Sequence, residues 1–66
     1  MRLINQFGDE LTIDDTVMHI GTNHIGKIKA FFGPTAQNPR GTVGILWSGK
    51  SEIEELSPAD IGAAFK

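Results

Sequence analysis

The segment Gly41–Trp47 constrains the fold of this chain more than any other part of the sequence. Val43, Ile45 and Trp47 occupy every second position in it. Side chains that alternate in this way lie on one face of a β-strand. The segment also contains the only tryptophan and lies between two turn-rich segments. We therefore expect it to be the central strand of a small β-domain, with Trp47 in the core. A half-buried Trp47 at the strand end, beside a phenylalanine, is the alternative.

The length of the chain limits the size of this core. The sequence has 66 residues and no cysteine, so we expect a single domain over residues 1–66 without a disulfide or zinc–thiolate site. A chain this short buries a small share of its surface. Either the core packs well alone or a partner surface completes it, and both a monomer and a small homo-oligomer stay open.

The sequence indicates a cytoplasmic protein that does not enter a membrane. No apolar run approaches the roughly 18 residues of a membrane-spanning helix. The first residues turn polar too early for a signal peptide. The absence of cysteine agrees with a reducing compartment.

Turn-forming residues divide the rest of the chain into short strands. The turn Gly8-Asp9-Glu10 predicts an opening hairpin. A further strand over Thr16–Ile20 precedes a loop bounded by Gly21 and Gly26, where positive φ is easily tolerated. We then expect a strand over Glu52–Leu56, with a bend or bulge near its end because its apolar residues are out of phase.

The segment Lys27–Phe32 predicts a strand in which Ile28, Ala30 and Phe32 share the core face. This phase places Phe31 outward among lysines, unless a bulge turns it inward. The following segment, Gly33–Gly41, has two prolines and no large apolar residue, which predicts a surface loop.

The C-terminal segment predicts one short helix and a last strand. Ser57 is a typical N-cap and Pro58 fits the first helical position. Because Gly62 stops the helix within about one turn, we expect a 3₁₀ segment near Pro58–Ile61. Residues 63–65 can then return as a strand beside the first one.

The order of these elements resembles the SH3-like barrels of the KOW and Tudor type. The resemblance covers about residues 11–66 and rests on Asp15-Thr-Val17, Gly21, Gly26-Lys-Ile28, Val43-Gly-Ile-Leu-Trp47 and Glu55-Leu-Ser-Pro58. It implies an all-β fold, a small five-stranded barrel. The closing segment Leu56–Phe65 is also similar to the ending of small phage and bacterial proteins of this shape.

The charges are distributed unevenly along the chain. All eight acidic residues lie within 9–15 and 52–60, and the segment between them carries Lys27, Lys29, Arg40 and Lys50. Basic central strands could pair with acidic outer strands across the sheet, or the lysines could form a local basic face. The net charge of −2 favours a protein partner over nucleic acid.

The sequence contains no motif of a known catalytic site. A phosphate-binding loop, a nucleophile elbow and a His-Glu-x-x-His zinc motif are all absent. The spacing of His19 and His24 matches no closed metal site, so we expect a partly buried His19 with one hydrogen bond and a solvated His24. Asp14 and Asp15 are typical of residues that cap backbone amides at a turn. No cofactor, metal or enzymatic activity is predicted.

The sequence favours a non-catalytic binding module for a protein or peptide, with an aromatic side-chain pair and a loop on a rigid barrel. A phage-encoded accessory protein fits the size and the closing segment. The candidate binding residues are Phe31, Phe32, Pro34, Arg40, Lys27, Lys29 and Trp47.

Two alternative functions follow from the resemblance. A KOW- or Tudor-like module would bind nucleic acid through the basic middle segment. A subunit of an oligomeric reductase with a shared pore, similar in fold pattern to the plasmid-borne dihydrofolate reductases, would use the segment Val43–Leu46. That segment reads Val-Gly-Ile-Leu, and its glycine lacks the side-chain amide found in the Val-Gln-Ile-Tyr pore segment of those enzymes.

Overall fold

The computed structural model describes all residues, 1–66, and consists of short strands with one 3₁₀ helix. The elements are β1 (Leu3–Asn5), β2 (Glu10–Leu11), β3 (Thr16–Met18), β4 (Ile25–Phe32), β5 (Thr42–Trp47), β6 (Glu54–Leu56), the 3₁₀ helix (Pro58–Ile61) and β7 (Ala63–Phe65). The prediction of an all-β chain is confirmed. The structure contains no helix with the length and apolar character needed to cross a lipid bilayer.

The strands form two antiparallel sheets. One has the order β2-β1-β7 and the other the order β3-β4-β5-β6. The structure therefore has seven strands where five were predicted, and no ladder joins the sheets into a closed barrel. The difference arises because β1 pairs on one side with β2 of the opening hairpin and on the other with the C-terminal strand β7, and these three strands form a sheet of their own.

Both sheets contribute to one core. Leu3 enters it from the smaller sheet, and Ile61 enters it from the 3₁₀ helix. The other buried apolar side chains come from the larger sheet: Val17, Ile28, Val43, Ile45 and Trp47. The alternation in β5 is confirmed, since Val43 and Ile45 are fully buried and Trp47 is 7% exposed.

A β-bulge at Lys29 changes the phase of β4. Ile28 pairs with Ile45, but the next pair is Ala30 with Gly44, which leaves Lys29 without a partner. Directly opposed residues lie on the same face of a sheet. Phe31, which pairs with Val43, therefore lies on the core face. The prediction that Ala30 and Phe32 share the face of Ile28 is wrong, because the extra residue reverses the alternation beyond it.

The loop after β3 also differs from its prediction. Neither Gly21 nor Gly26 has a positive φ, and Gly26 lies inside β4, opposite Trp47. A Cβ on Gly26 would lie 2.7 Å from Trp47 Cε3 and 2.8 Å from Ile45 Cγ2. The position requires glycine because the Trp47 ring lies directly over the strand.

The C-terminal segment matches its prediction. Ser57 accepts a hydrogen bond from the Ala59 N–H, Pro58 begins the 3₁₀ helix, and Gly62 ends it with a φ of 69°. Leu56 pairs with Val43 in an unbroken ladder, so the bend expected near Glu55 does not occur. Ile53 and Leu56 do not have to share one face of the strand, because β6 begins at Glu54. Ile53 lies before the strand, and its side chain is 54% exposed.

These contacts predict that one glycine substitution destabilises the fold and that another has almost no effect. Gly26→Ala should lower the free energy of unfolding by about 1–3 kcal/mol, because its methyl group overpacks the Trp47 ring. Gly33→Ala is the matched control, since no atom lies within 4 Å of its added Cβ, and its effect should stay within about 0.5 kcal/mol. Urea unfolding measures both. Equal effects at the two positions would contradict the packing of Trp47 on β4.

Candidate functional site

The loop between β4 and β5 is exposed and is held by hydrogen bonds of its own. The Thr35 N–H donates to the Asn38 carbonyl at 2.9 Å, and the Asn38 N–H donates to Thr35 Oγ1 at 2.9 Å. The Gly41 N–H then donates to the Asn38 carbonyl at 2.8 Å. These bonds define the path of the loop between Pro34 and Arg40.

Phe31 and Phe65 connect this loop region to the C-terminal strand. Their rings meet edge to face, with centroids 6.0 Å apart and an interplanar angle of 84°. The Phe65 ring also covers the end of the loop, because a Cβ on Gly41 would lie 2.8 Å from Phe65 Cδ2. Aromatic pairs favour this arrangement. The bulge in β4 makes it possible, since it turns Phe31 toward the core face.

A cleft of about 450 Å³ lies between the loop and the C-terminal segment. We call it the loop cleft; its main lining residues are Pro34, Pro39, Arg40, Pro58, Ala63 and Phe65. Its walls are mostly proline and alanine, with the exposed Arg40 beside them. The Arg40 guanidinium makes no hydrogen bond or ion pair within the chain.

Arg40 also borders a second depression, which shares Pro39 and Ser57 with the loop cleft. Thr42, Glu55 and Ser57 contribute polar groups to it. The Glu55 carboxylate accepts a hydrogen bond from Thr42 Oγ1 at 2.5 Å, and it lies more than 4.0 Å from the guanidinium nitrogens of Arg40. Glu55 is the only acidic residue that lines either cleft, and it does not form an ion pair with Arg40.

Phe32 belongs to a different surface from Phe31. It pairs with Thr42 on the outer face of the larger sheet, and its ring lies over Gly44 beside Ile53. Phe32 is 42% exposed and Ile53 is 54% exposed. The sequence places Phe31 and Phe32 on one binding surface, and the structure separates them because they are adjacent residues in one strand.

Lys27, Lys29 and Lys50 line a groove on the outer side of β4 and β5, beside Leu46. Lys29 is neutralised by Asp14, whose carboxylate lies 2.5 Å from its Nζ. Lys27 and Lys50 form no ion pair. Both interpretations of the charge pattern therefore hold in part: one lysine pairs with an acid, and two form a small basic groove.

Arg40 is not part of this basic groove. It lines the loop cleft and the depression beside it, whereas the lysines line the outer face of the sheet. The structure thus does not bring Lys27, Lys29 and Arg40 together as one nucleic-acid surface.

Trp47 is a core residue, and its indole N–H has a hydrogen-bond acceptor. Its indole N–H donates to Glu54 Oε1 at 2.6 Å, and its ring lies 5.8 Å from that of His19. His19 Nδ1 accepts hydrogen bonds from the N–H groups of Gly21, at 2.9 Å, and Thr22, at 3.3 Å. The predicted partly buried histidine is confirmed, with two backbone donors instead of one.

The acidic and histidine side chains are dispersed. Asp15 Oδ2 accepts from the Thr12 N–H at 2.7 Å, which confirms its role as a backbone cap. No group of three or more histidine, aspartate or glutamate side chains is placed so that it could hold a metal ion. His24 is exposed in the loop after β3.

Three walls of the loop cleft are not among the candidate binding residues that the sequence indicates. Pro39 was part of the predicted loop, Pro58 was predicted only as a helix start, and Phe65 only as a strand residue. The signal for Phe65 was present, because it is the only aromatic residue in the predicted last strand. Its partner Phe31 could not be assigned to the same side of the sheet without the bulge.

Comparisons of the chain with models of protein families, with curated proteins and with solved structures found no match.

The ion pair between Asp14 and Lys29 predicts a pH dependence of stability. The hydrogen bond and charge of Lys29 lower the pKa of Asp14 below its usual value. A lowered pKa in the folded state means that the pair contributes stability above the unfolded-state pKa of about 3.9, and that this contribution is lost as the pH falls through the folded-state pKa. Asp14→Asn should therefore be slightly less stable than wild type at pH 7 and equally stable at strongly acidic pH.

Urea unfolding across this pH range measures the difference. Asparagine tolerates the left-handed backbone of Asp14, whose φ is 72°, so the substitution tests the charge. The difference in stability between Lys29→Gln and wild type should likewise disappear at strongly acidic pH. Lys50→Gln removes a lysine without an ion-pair partner, so its difference from wild type should not show this pH dependence. A difference between Asp14→Asn and wild type that persists unchanged at acidic pH would contradict the ion pair.

Proposed function

We propose that this chain is a non-catalytic binding module that binds a protein or peptide segment in the loop cleft. The observation that carries the proposal is an unpaired arginine, Arg40, at a cleft with proline, alanine and phenylalanine walls. Protein interfaces are enriched in arginine and aromatic side chains. Pro34 and Phe65 supply apolar contact area, and the Phe31 ring meets that of Phe65 edge to face.

The fold that we propose for this module is of the SH3-like kind. Three features support it: a 3₁₀ helix directly before the last strand, a last strand that pairs with the first, and one core shared by both sheets. A small accessory protein encoded by a phage fits this size and fold. The binding surface would then lie on a loop that a rigid scaffold positions, as is common in such folds.

A protein partner fits the charges better than nucleic acid does. The net charge is −2, and Lys29 is already neutralised by Asp14. The second candidate function, nucleic-acid binding, is supported by the groove that Lys27 and Lys50 share. Such binding would use the outer face of the sheet and leave the loop cleft free.

The burial of β5 supports a non-catalytic role over a pore-type reductase. Val43 and Ile45 are fully buried, and Gly44 is covered by Ile53 and Phe32. This segment would therefore offer few side chains to a pore shared between subunits. A monomer mass in light scattering would exclude that alternative.

Two charge substitutions separate the two binding functions. Peptides selected from a display library of random linear octamers should bind wild type, and Arg40→Gln should weaken their binding about ten- to hundredfold, the effect of losing a charge-assisted hydrogen bond. Lys50→Gln is the matched control and should leave peptide binding unchanged. Isothermal titration measures the affinities.

A titration with single- and double-stranded oligonucleotides completes the test. The nucleic-acid alternative predicts binding that Lys50→Gln weakens, and that falls steeply with salt. If the library yields no binding peptide while oligonucleotides bind through Lys27 and Lys50, the proposed peptide function is wrong.

A further inference from the structure

Strand β7 has an open edge on the side of the loop cleft. It is the last strand of its sheet and pairs only with β1. Ala63, Ala64 and Phe65 all contribute to the wall of the loop cleft. The cleft therefore follows the free edge of this strand.

The backbone groups of β7 that face away from β1 can be identified from the ladder. Arg2 and Lys66 exchange both of their backbone hydrogen bonds, at 2.9 and 2.8 Å. In an antiparallel ladder such pairs alternate with pairs that exchange none. The next pair, Leu3 with Phe65, is therefore of the second kind. The N–H and C=O of Phe65, and by the same alternation those of Ala63, point away from β1 and have no strand partner.

The other edge strands are protected by charge. β2 contains Glu10, β6 contains Glu54 and Glu55, and β3 begins next to Asp15. Charged side chains on edge strands discourage pairing with another chain. β7 consists of Ala63–Phe65, without a charge of its own, and the residue that directly follows it, Lys66, is basic. Its free edge therefore differs from the others in having no acidic side chain on or next to it.

Arg40 supplies a positive charge beside this edge. It lines the same cleft as Ala63 and Phe65, and no carboxylate of the chain lies within 4.0 Å of its guanidinium nitrogens. An arginine fork binds a carboxylate through paired hydrogen bonds. The free strand edge and the unpaired arginine therefore favour one kind of ligand, an extended peptide backbone that carries a carboxylate.

We propose that an extended peptide segment pairs with the free edge of β7 and places a carboxylate on Arg40. This inference rests on the binding function proposed above and specifies its ligand. Backbone hydrogen bonds to Ala63 and Phe65 hold the peptide, in the manner of β-strand addition. Alternate peptide side chains face Pro34 and Pro39 across the cleft.

Hydrogen exchange at single residues tests the strand pairing. The probe is the tightest octamer selected from the library, added at saturation to the full chain. The amides of Ala63 and Phe65 should exchange at least about fivefold more slowly in the complex, as expected for one net backbone hydrogen bond. The amide of Ala64 is the internal control: it already points toward Ile4 of β1, so its exchange should change less.

Variants of the same peptide test the other half of the proposal. Only every second amide of the paired peptide faces β7. N-methylation of that set of alternate amides should therefore weaken binding at least about tenfold, and N-methylation of the other set should hardly change it. Replacement of the peptide carboxylate by an amide should weaken binding to wild type, but not to Arg40→Gln.

The outcomes separate the two proposals. If selected peptides bind and depend on Arg40 while Ala63 and Phe65 exchange unchanged, the strand pairing is wrong and the binding function stands. If the peptides need no carboxylate, the role given to Arg40 is wrong. If no peptide binds the chain, both proposals fail.

Discussion

The pairing of β4 with β5, interrupted once at Lys29, is the constraint on which the rest of the structure depends. Before the bulge the ladder aligns Ile28 with Ile45, and beyond it the ladder aligns Phe31 with Val43. Ile28, Ile45 and Val43 are fully buried in the core, whereas Phe31 is 41% exposed and contacts the Phe65 ring. Burial of the core side chains is the main source of stability in a domain of this size. Without the extra residue, Ala30 would lie opposite Val43 in place of Phe31.

The same bulge separates the surface into regions with different chemistry. It directs Phe31 toward Phe65, which forms one wall of the loop cleft. It leaves Phe32 over Gly44 on the opposite face. The basic groove lies on the outer side of the sheet, away from Arg40. The binding function that we propose for the loop cleft therefore depends on one irregular residue in the longest strand, together with an arginine that the chain does not neutralise.

Local patterns predicted the elements whose structure is decided locally. The alternation of Val43, Ile45 and Trp47 identified the buried strand, and the Ser57-Pro58 pair identified the 3₁₀ helix with its cap. The faces of Phe31 and Phe32 could not be predicted, because a bulge is defined by the register between two strands, and Lys29 carries no local signal for it.

The structure does not bring the residues that the sequence proposes for binding together at one place. Pro34 and Arg40 are both in the loop cleft, as neighbours in one loop. Lys27 was grouped with Arg40 because both lie in the acid-free middle of the sequence, but the sheet places them in different grooves. Gly26 was predicted as a loop glycine, and it is required instead by the Trp47 ring on the neighbouring strand. Contacts between distant segments decide these positions.

The most direct test of the β4–β5 register is the pattern of cross-strand nuclear Overhauser effects. The bulged register predicts contacts between the backbones of Phe31 and Val43, and between the rings of Phe31 and Phe65. A continuous register would instead pair Ala30 with Val43 and leave the Phe31 ring without contact to Phe65. Observation of that continuous pattern would contradict both the core and the loop cleft described above.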